Sequence, residues 1–191
     1  MATDMREQKR QLSDRQTALI ETNIAWLRQA LSLLAVIGHD AYTSSPGDFA
    51  PHRVGSHLRH IVEFYECFLD AVESGHINYD ARQRDESVEQ SRSVAAGRIL
   101  SIIQRLEAAP DLRGDSIIWV RMEDADAIQV QDCFLTSSIG RELQILSSHT
   151  IHHFALIAMT LRAHGVDVDP NFGMAPSSLR YQASKKDAEA A

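Results

Sequence analysis

Histidine is the residue type best placed to do chemistry in this chain. There are nine histidines in 191 residues. Five fall in two tight groups, His57 with His60, and His149 with His152 and His153. Neutral imidazole is the commonest metal ligand in proteins, and burying several imidazoles without partners is costly. His149 and His153 stand four residues apart. On a helix, residues so spaced sit one above the other, and their rings can converge on one ion. At about 100° per residue the two lie about 40° apart, at the edge of a face made by Leu143, Leu146, Thr150, Ile157 and Leu161. His152 points further outward. Glu142, two turns before His149 on nearly the same bearing, could hydrogen-bond a ligand imidazole or act on a bound water. A lone i, i+4 histidine pair is a weak signal. The second group, on a helix that should face the first, strengthens it. There, wheel geometry puts His57 about 60° nearer the apolar centre than His60 and by itself favours His57 as third ligand.

Four amphipathic stretches must position these side chains. They run from Leu12 to Ile37, Val54 to Ser74, Val88 to Ala109 and Ile139 to His164. Gly38, Gly75, Pro110 and Gly165 follow them, where helix ends favour glycine and proline. Val54, Leu58, Ile61, Tyr65, Phe68 and Val72 keep the three- and four-residue steps of a helix almost without error. Between the third and fourth stretches the pattern turns to period two, Ile118/Val120/Met122 and then Ile128/Val130. This predicts a short β-hairpin turning at Glu123 to Asp126. Thr136 to Ser138 offer hydroxyl caps to the fourth helix. After Pro170 a loop is expected. The predicted fold is all-α, a four-helix bundle with that hairpin, as one domain over residues 1–182 and a polar flexible tail over 183–191.

Composition narrows the function classes. The apolar fraction is 44% and the charged fraction 24%, ordinary for a globular protein. A chain of this length buries a substantial core unaided, so any metal is a functional part rather than a folding staple. The formal net charge of −7, with no basic run, argues against nucleic acid as partner. No stretch is apolar enough to span a membrane, and MATDMREQKRQL lacks a signal peptide's apolar core. Cys67 and Cys133 have no metal-type or redox-type spacing, and a reducing, cytoplasmic setting is expected.

The motifs V54-G-S-H-L-R-H-I-V-E-F-Y and S147-S-H-T-I-H-H-F-A-L resemble those of the DinB/YfiT-like metalloenzyme superfamily. Its members are four-helix bundles with a histidine in the second helix and an HxxxH pair in the last. The resemblance extends to HLRH, to Tyr79-Asp80-Ala81-Arg82-Gln83-Arg84, to Arg141–Gln144, to SHTxHH and to a tail from Phe172 to Tyr181. It thus covers about Val54 to Tyr181. In family members the second-helix ligand is a histidine followed by two apolar residues, which is His60 here. The resemblance therefore implies His60, His149 and His153 as metal ligands, against the wheel's preference for His57. It also implies one divalent ion (zinc, nickel or iron) in an open site, and often a homodimer. Characterised relatives are thiol-dependent.

Two functions are carried forward. One is a metal-dependent hydrolase or thiol S-transferase acting on a small molecule, with His57 and Glu142 as acid–base candidates and a low-molecular-weight thiol as possible partner. Arg180 and Tyr181 could close over such a site. The other is a non-catalytic metal- or ligand-binding bundle with a sensing or interaction role. Asp80, Arg82 and Arg84 are expected to form a structural ion pair that anchors a loop. A di-iron carboxylate centre is set aside, because Glu-x-x-His pairs are missing from matching helical positions.

Overall fold

Side-chain caps decide where several of the helices begin. Ser138 accepts from the Arg141 amide and starts α6, Ile139–Ala163. Ser91 accepts from the Val94 amide and starts α5, Arg92–Glu107. Asp85 accepts from the Ser87 amide and starts α4, Glu86–Gln90. A capping oxygen satisfies one amide that the first turn leaves unpaired. The other helices are α1, Ala2–Val36, α2, His39–Thr43, α3, Val54–Ala71, and α7, Pro176–Glu189. The structure, a computed structural model, describes residues 2–47, 52–109, 112, 116–122 and 134–189.

The chain is mostly helical with a small sheet. The third helical stretch is not continuous, as its pattern suggested. Ser91 is extended, at φ −137° and ψ 114°, and ends α4 while it caps α5. A serine that bonds its own downstream backbone competes with the helix ladder, and the apolar period cannot show this. Beside the helices lies a mixed three-stranded sheet, so an all-α fold with one hairpin describes the chain only broadly. The sheet comprises β1, His76–Asn78, β2, Ile117–Arg121, and β3, Leu135–Ser138. β2 pairs antiparallel with β3, and Ile117 faces Ser138. β1 adds in parallel, with Ile77 opposite Val120. Thr136 to Ser138 belong to β3, and of the three Ser138 is the cap. The expected turn at Glu123–Asp126, with Ile128 and Val130, lies outside the described residues, as do Cys133 and the side chain of Leu12. The stretch after Pro170, expected as a loop, forms α7 from Pro176 onward.

α3 and α6 pack along one another, α1 lies against α5 and α6, and α5 lies against α3. Leu27, Leu58, Tyr65, Phe68, Ile99, Ile102, Leu143, Phe154 and Leu161 are fully buried between them. Arg92 donates to the carbonyls of Leu34 and Ile37 and closes the C-terminal end of α1. One buried polar chain ties three helices together. The Asn23 amide donates to the Leu19 and Leu143 carbonyls at 2.8 and 3.0 Å. Its oxygen accepts from the Tyr65 hydroxyl at 2.6 Å, which itself accepts from Thr150 at 3.3 Å. Asn23→Ala should lower stability by about 1–2 kcal/mol, because buried hydrogen-bonding groups lose a partner. Urea denaturation checks this. An unchanged midpoint would show that the chain is dispensable.

Candidate metal centre

Successive turns of α3 carry His57, His60 and Phe64, and successive turns of α6 carry His149 and His153. The apolar face that packs α3 on α6 brings these turns together. His60, His149 and His153 each offer a ring nitrogen, and the three nitrogens lie within 4.8 Å of one another. The His149 and His153 Nε2 atoms are 3.0 Å apart. Ring centroids of His60 stand 4.9 Å from His149 and 4.8 Å from His153. The three are half-buried.

His57 is placed differently. It is 7% exposed, deeper than the other three. Its Nδ1 stands 3.0 Å from Nδ1 of His153, and its buried Nε2 has no hydrogen-bond partner. His52 stacks on it at 5.6 Å between centroids and 3° between planes. The wheel's ranking by depth thus agrees with burial, yet it is His60 that joins the pair on α6. His152 is exposed, with its ring 5.3 Å from that of His153.

Electrostatics keep the cluster neutral at pH 7. Burial, helped by the charges of His52 and His152, lowers His57 to about 4. Burial, then His149 and the guanidinium of Arg82, lowers His60 to about 4. Burial, then His152 and Arg82, does the same to His149, to about 4. His153, buried and ringed by His149, His60, His57 and His152, falls to about 2. Unprotonated imidazoles are the form that binds metal. Tetrahedral ligands at about 2.0–2.1 Å stand roughly 3.3 Å apart, and the His149–His153 separation is close to that. This donor set fits a three-histidine ion site.

The same shifts set an acid limit on the metal-free protein. An unfolded imidazole takes up a proton near pH 6.5, whereas the folded cluster refuses it until about pH 4. Between these values the unfolded state binds more protons, so stability is full above pH 6.5 and declines as pH falls toward 4. Urea midpoints of chelator-treated protein at pH 7, 5.5 and 4.5 should decrease in that order. A flat series would contradict the cluster's neutrality.

A layer of aromatic and charged side chains borders the histidines. Phe64 contacts His149 at 4.3 Å and His60 at 4.7 Å between centroids, and Tyr79 stacks on Phe64 at 5.0 Å. Phe64 follows His60 by four residues, a spacing that marks it in retrospect. The Arg82 guanidinium lies 5.0 Å from the Phe64 ring centre. Arg82 also donates to the Tyr79 carbonyl at 2.9 Å and pairs with buried Glu63 at 3.7 Å. Asp80 pairs with Arg121 at 3.7 Å. The ion pairs of Arg82 and Asp80 therefore run to α3 and β2. Glu142, a candidate to hydrogen-bond a ligand imidazole or to act on a bound water, has no hydrogen bond to a histidine among the described residues. It is buried, and its two oxygens instead accept from Tyr79 at 3.0 Å and Ser137 at 2.6 Å. Arg180 and Tyr181 lie on α7, exposed, Tyr181 to 69%. Among the described residues no hydrogen bond or ring contact joins either to the histidines.

Fold and site together define a mostly helical protein with a three-histidine cluster between two of its helices. No protein-family model matches the chain. It is similar to a curated protein named FK506-binding protein 5, from Rhizopus delemar, with 35% identity over 107 residues. The match covers 55% of this chain and 27% of that protein. None of the described helices is long and apolar enough to cross a membrane.

Proposed function

We propose that this chain is a DinB/YfiT-like four-helix-bundle metalloprotein in which His60, His149 and His153 hold one divalent ion. In this reading it works in the cytoplasm as a homodimer and catalyses a metal-dependent reaction of a small molecule, hydrolysis or thiol S-transfer. The observation that supports it most is the meeting of three neutral ring nitrogens, from two helices, within 4.8 Å. An ion held by three neutral ligands supplies Lewis acidity at an open position, enough to bring a water or a thiol to ionisation near neutral pH. The protein's part is to keep the three imidazoles unprotonated and oriented, and to wall the site with Phe64. The cation of Arg82 favours negative charge nearby.

Elemental analysis of purified protein, followed by turnover of a thiol plus an electrophile by zinc-, nickel- and iron-loaded samples, tests the proposal. One ion per chain and metal-dependent turnover are expected. Absence of any bound ion would overturn it. A second reading, a non-catalytic metal- or ligand-binding bundle, has one observation in its favour. Both oxygens of Glu142, the acid–base candidate, are engaged by Tyr79 and Ser137. Metal binding without turnover of any thiol–electrophile pair would favour that reading.

A further inference from the structure

His57, His153 and His149 form a chain of three imidazoles. Nδ1 of His57 faces Nδ1 of His153, and Nε2 of His153 faces Nε2 of His149, each at 3.0 Å. A hydrogen bond needs one proton and one lone pair, and a neutral imidazole carries one proton. Only two arrangements satisfy both contacts. In the first, His57 donates through Nδ1 to His153, which donates through Nε2 to His149. In the second the direction is reversed, and the proton of His57 sits on Nε2.

Use of His149 and His153 as ligands removes the choice. The two Nε2 atoms are the pair that face one another, at 3.0 Å, so they are the atoms that would present lone pairs to the ion. The single proton of His153 goes to Nδ1, so the hydrogen bond to His57 runs outward. Nδ1 of His57 becomes the acceptor, and its proton is held on Nε2. No proton is gained or lost by His57 or His153: from the first arrangement each moves its proton to its other nitrogen, and from the second only His149 has to do so. We infer that His57 is a positioning residue: by accepting from Nδ1–H of His153 it selects the tautomer whose Nε2 is free for an ion. This rests on the metal-binding reading above and extends it to a residue outside the ligand set.

Two observations agree with that role. His57 is 7% exposed, so water competes poorly for its Nδ1. Its ring is also held in place by the stacked His52. A ligand imidazole whose other nitrogen is held by an acceptor is both oriented and more basic. A consequence follows for the buried Nε2 of His57, which has no protein partner. In the occupied state it is a donor, and it calls for an acceptor oxygen from water or from the molecule that enters the site.

The test uses long-range proton–nitrogen spectra of the nitrogen-15-labelled full chain, with and without zinc. With zinc, His153 should carry its proton on Nδ1 and His57 on Nε2. A His57 protonated on Nδ1 in the zinc-loaded protein would overturn the inference. Zinc titrations of variants give a second measure. His57→Phe should weaken affinity about 10- to 100-fold. His57→Asn, whose oxygen falls near the place of Nδ1, should recover most of that loss. Equal affinities for His57→Phe and wild type, or no recovery in a folded His57→Asn, would also overturn it. If wild-type protein binds no zinc, the metal reading itself fails, an outcome distinct from those.

Discussion

Zinc titration of His153→Ala is expected to show loss of binding by more than about 100-fold, with the helical circular dichroism of the protein unchanged. Removing even a partner that supports a ligand typically costs 10- to 100-fold in metal affinity, so removing the ligand must cost more. His153 sits at the centre of the cluster: its ring lies 4.5 Å from that of His149 and 4.8 Å from that of His60. His149→Ala and His60→Ala should fall in the same range, whereas His57→Ala should only weaken binding. The fold should survive these changes because His60, His149 and His153 are half-buried, and alanine is the best helix former. Retention of wild-type zinc affinity by His60→Ala would remove it from the ligand set. The wheel's candidate, His57, would then be the third ligand.

Gly55→Ala should destabilise the protein, although alanine in a helix is intrinsically better than glycine by about 1 kcal/mol. The first turn of α3 is pressed against the end of α4. A Cβ at Gly55 would overlap the Glu89 carbonyl oxygen and come within 3.0 Å of the Glu89 carbonyl carbon and Cα. Backbone atoms cannot rotate away as a side chain would. The overlap is relieved only by shifting α3 against α4, at about 3 kcal/mol, the upper end for overpacking. The net loss of about 2 kcal/mol corresponds to a melting temperature lower by roughly 4–8 °C. A Gly55→Ala variant that melts at or above the wild-type temperature would show that the two helices separate without cost. The loss matters for the site because His57 and His60 follow Gly55 on the same helix. Zinc, if it binds only the folded form, should restore part of the lost stability.

The sequence by itself determined the helices that carry the histidines, because an apolar stripe at helical spacing has few other ways to be buried. Val54, Leu58, Ile61, Tyr65 and Phe68 all point inward, as their spacing required. The four-residue step from His149 to His153 was equally local, and so was the period-two alternation that buries Ile118 and Val120 while leaving Ile117 and Trp119 outside. Family resemblance singled out His60, where the wheel ranked His57 first. The wheel measures depth, and depth selects a core partner. Depth does not decide which ring nitrogens meet, and those within 4.8 Å of one another belong to His60, His149 and His153. What only the tertiary structure decided were relations between residues far apart in the chain. Asn23 reaches the Leu143 carbonyl, Tyr79 takes an oxygen of Glu142, and β1 pairs beside β2. The break at Ser91 likewise escaped the apolar pattern, because a serine hydroxyl can cap a helix or lie exposed on one, and the packing of α4 against α3 selects between them. Local periodicity records which side of an element is buried, but the partner across the interface is set by how the helices and strands come to lie together.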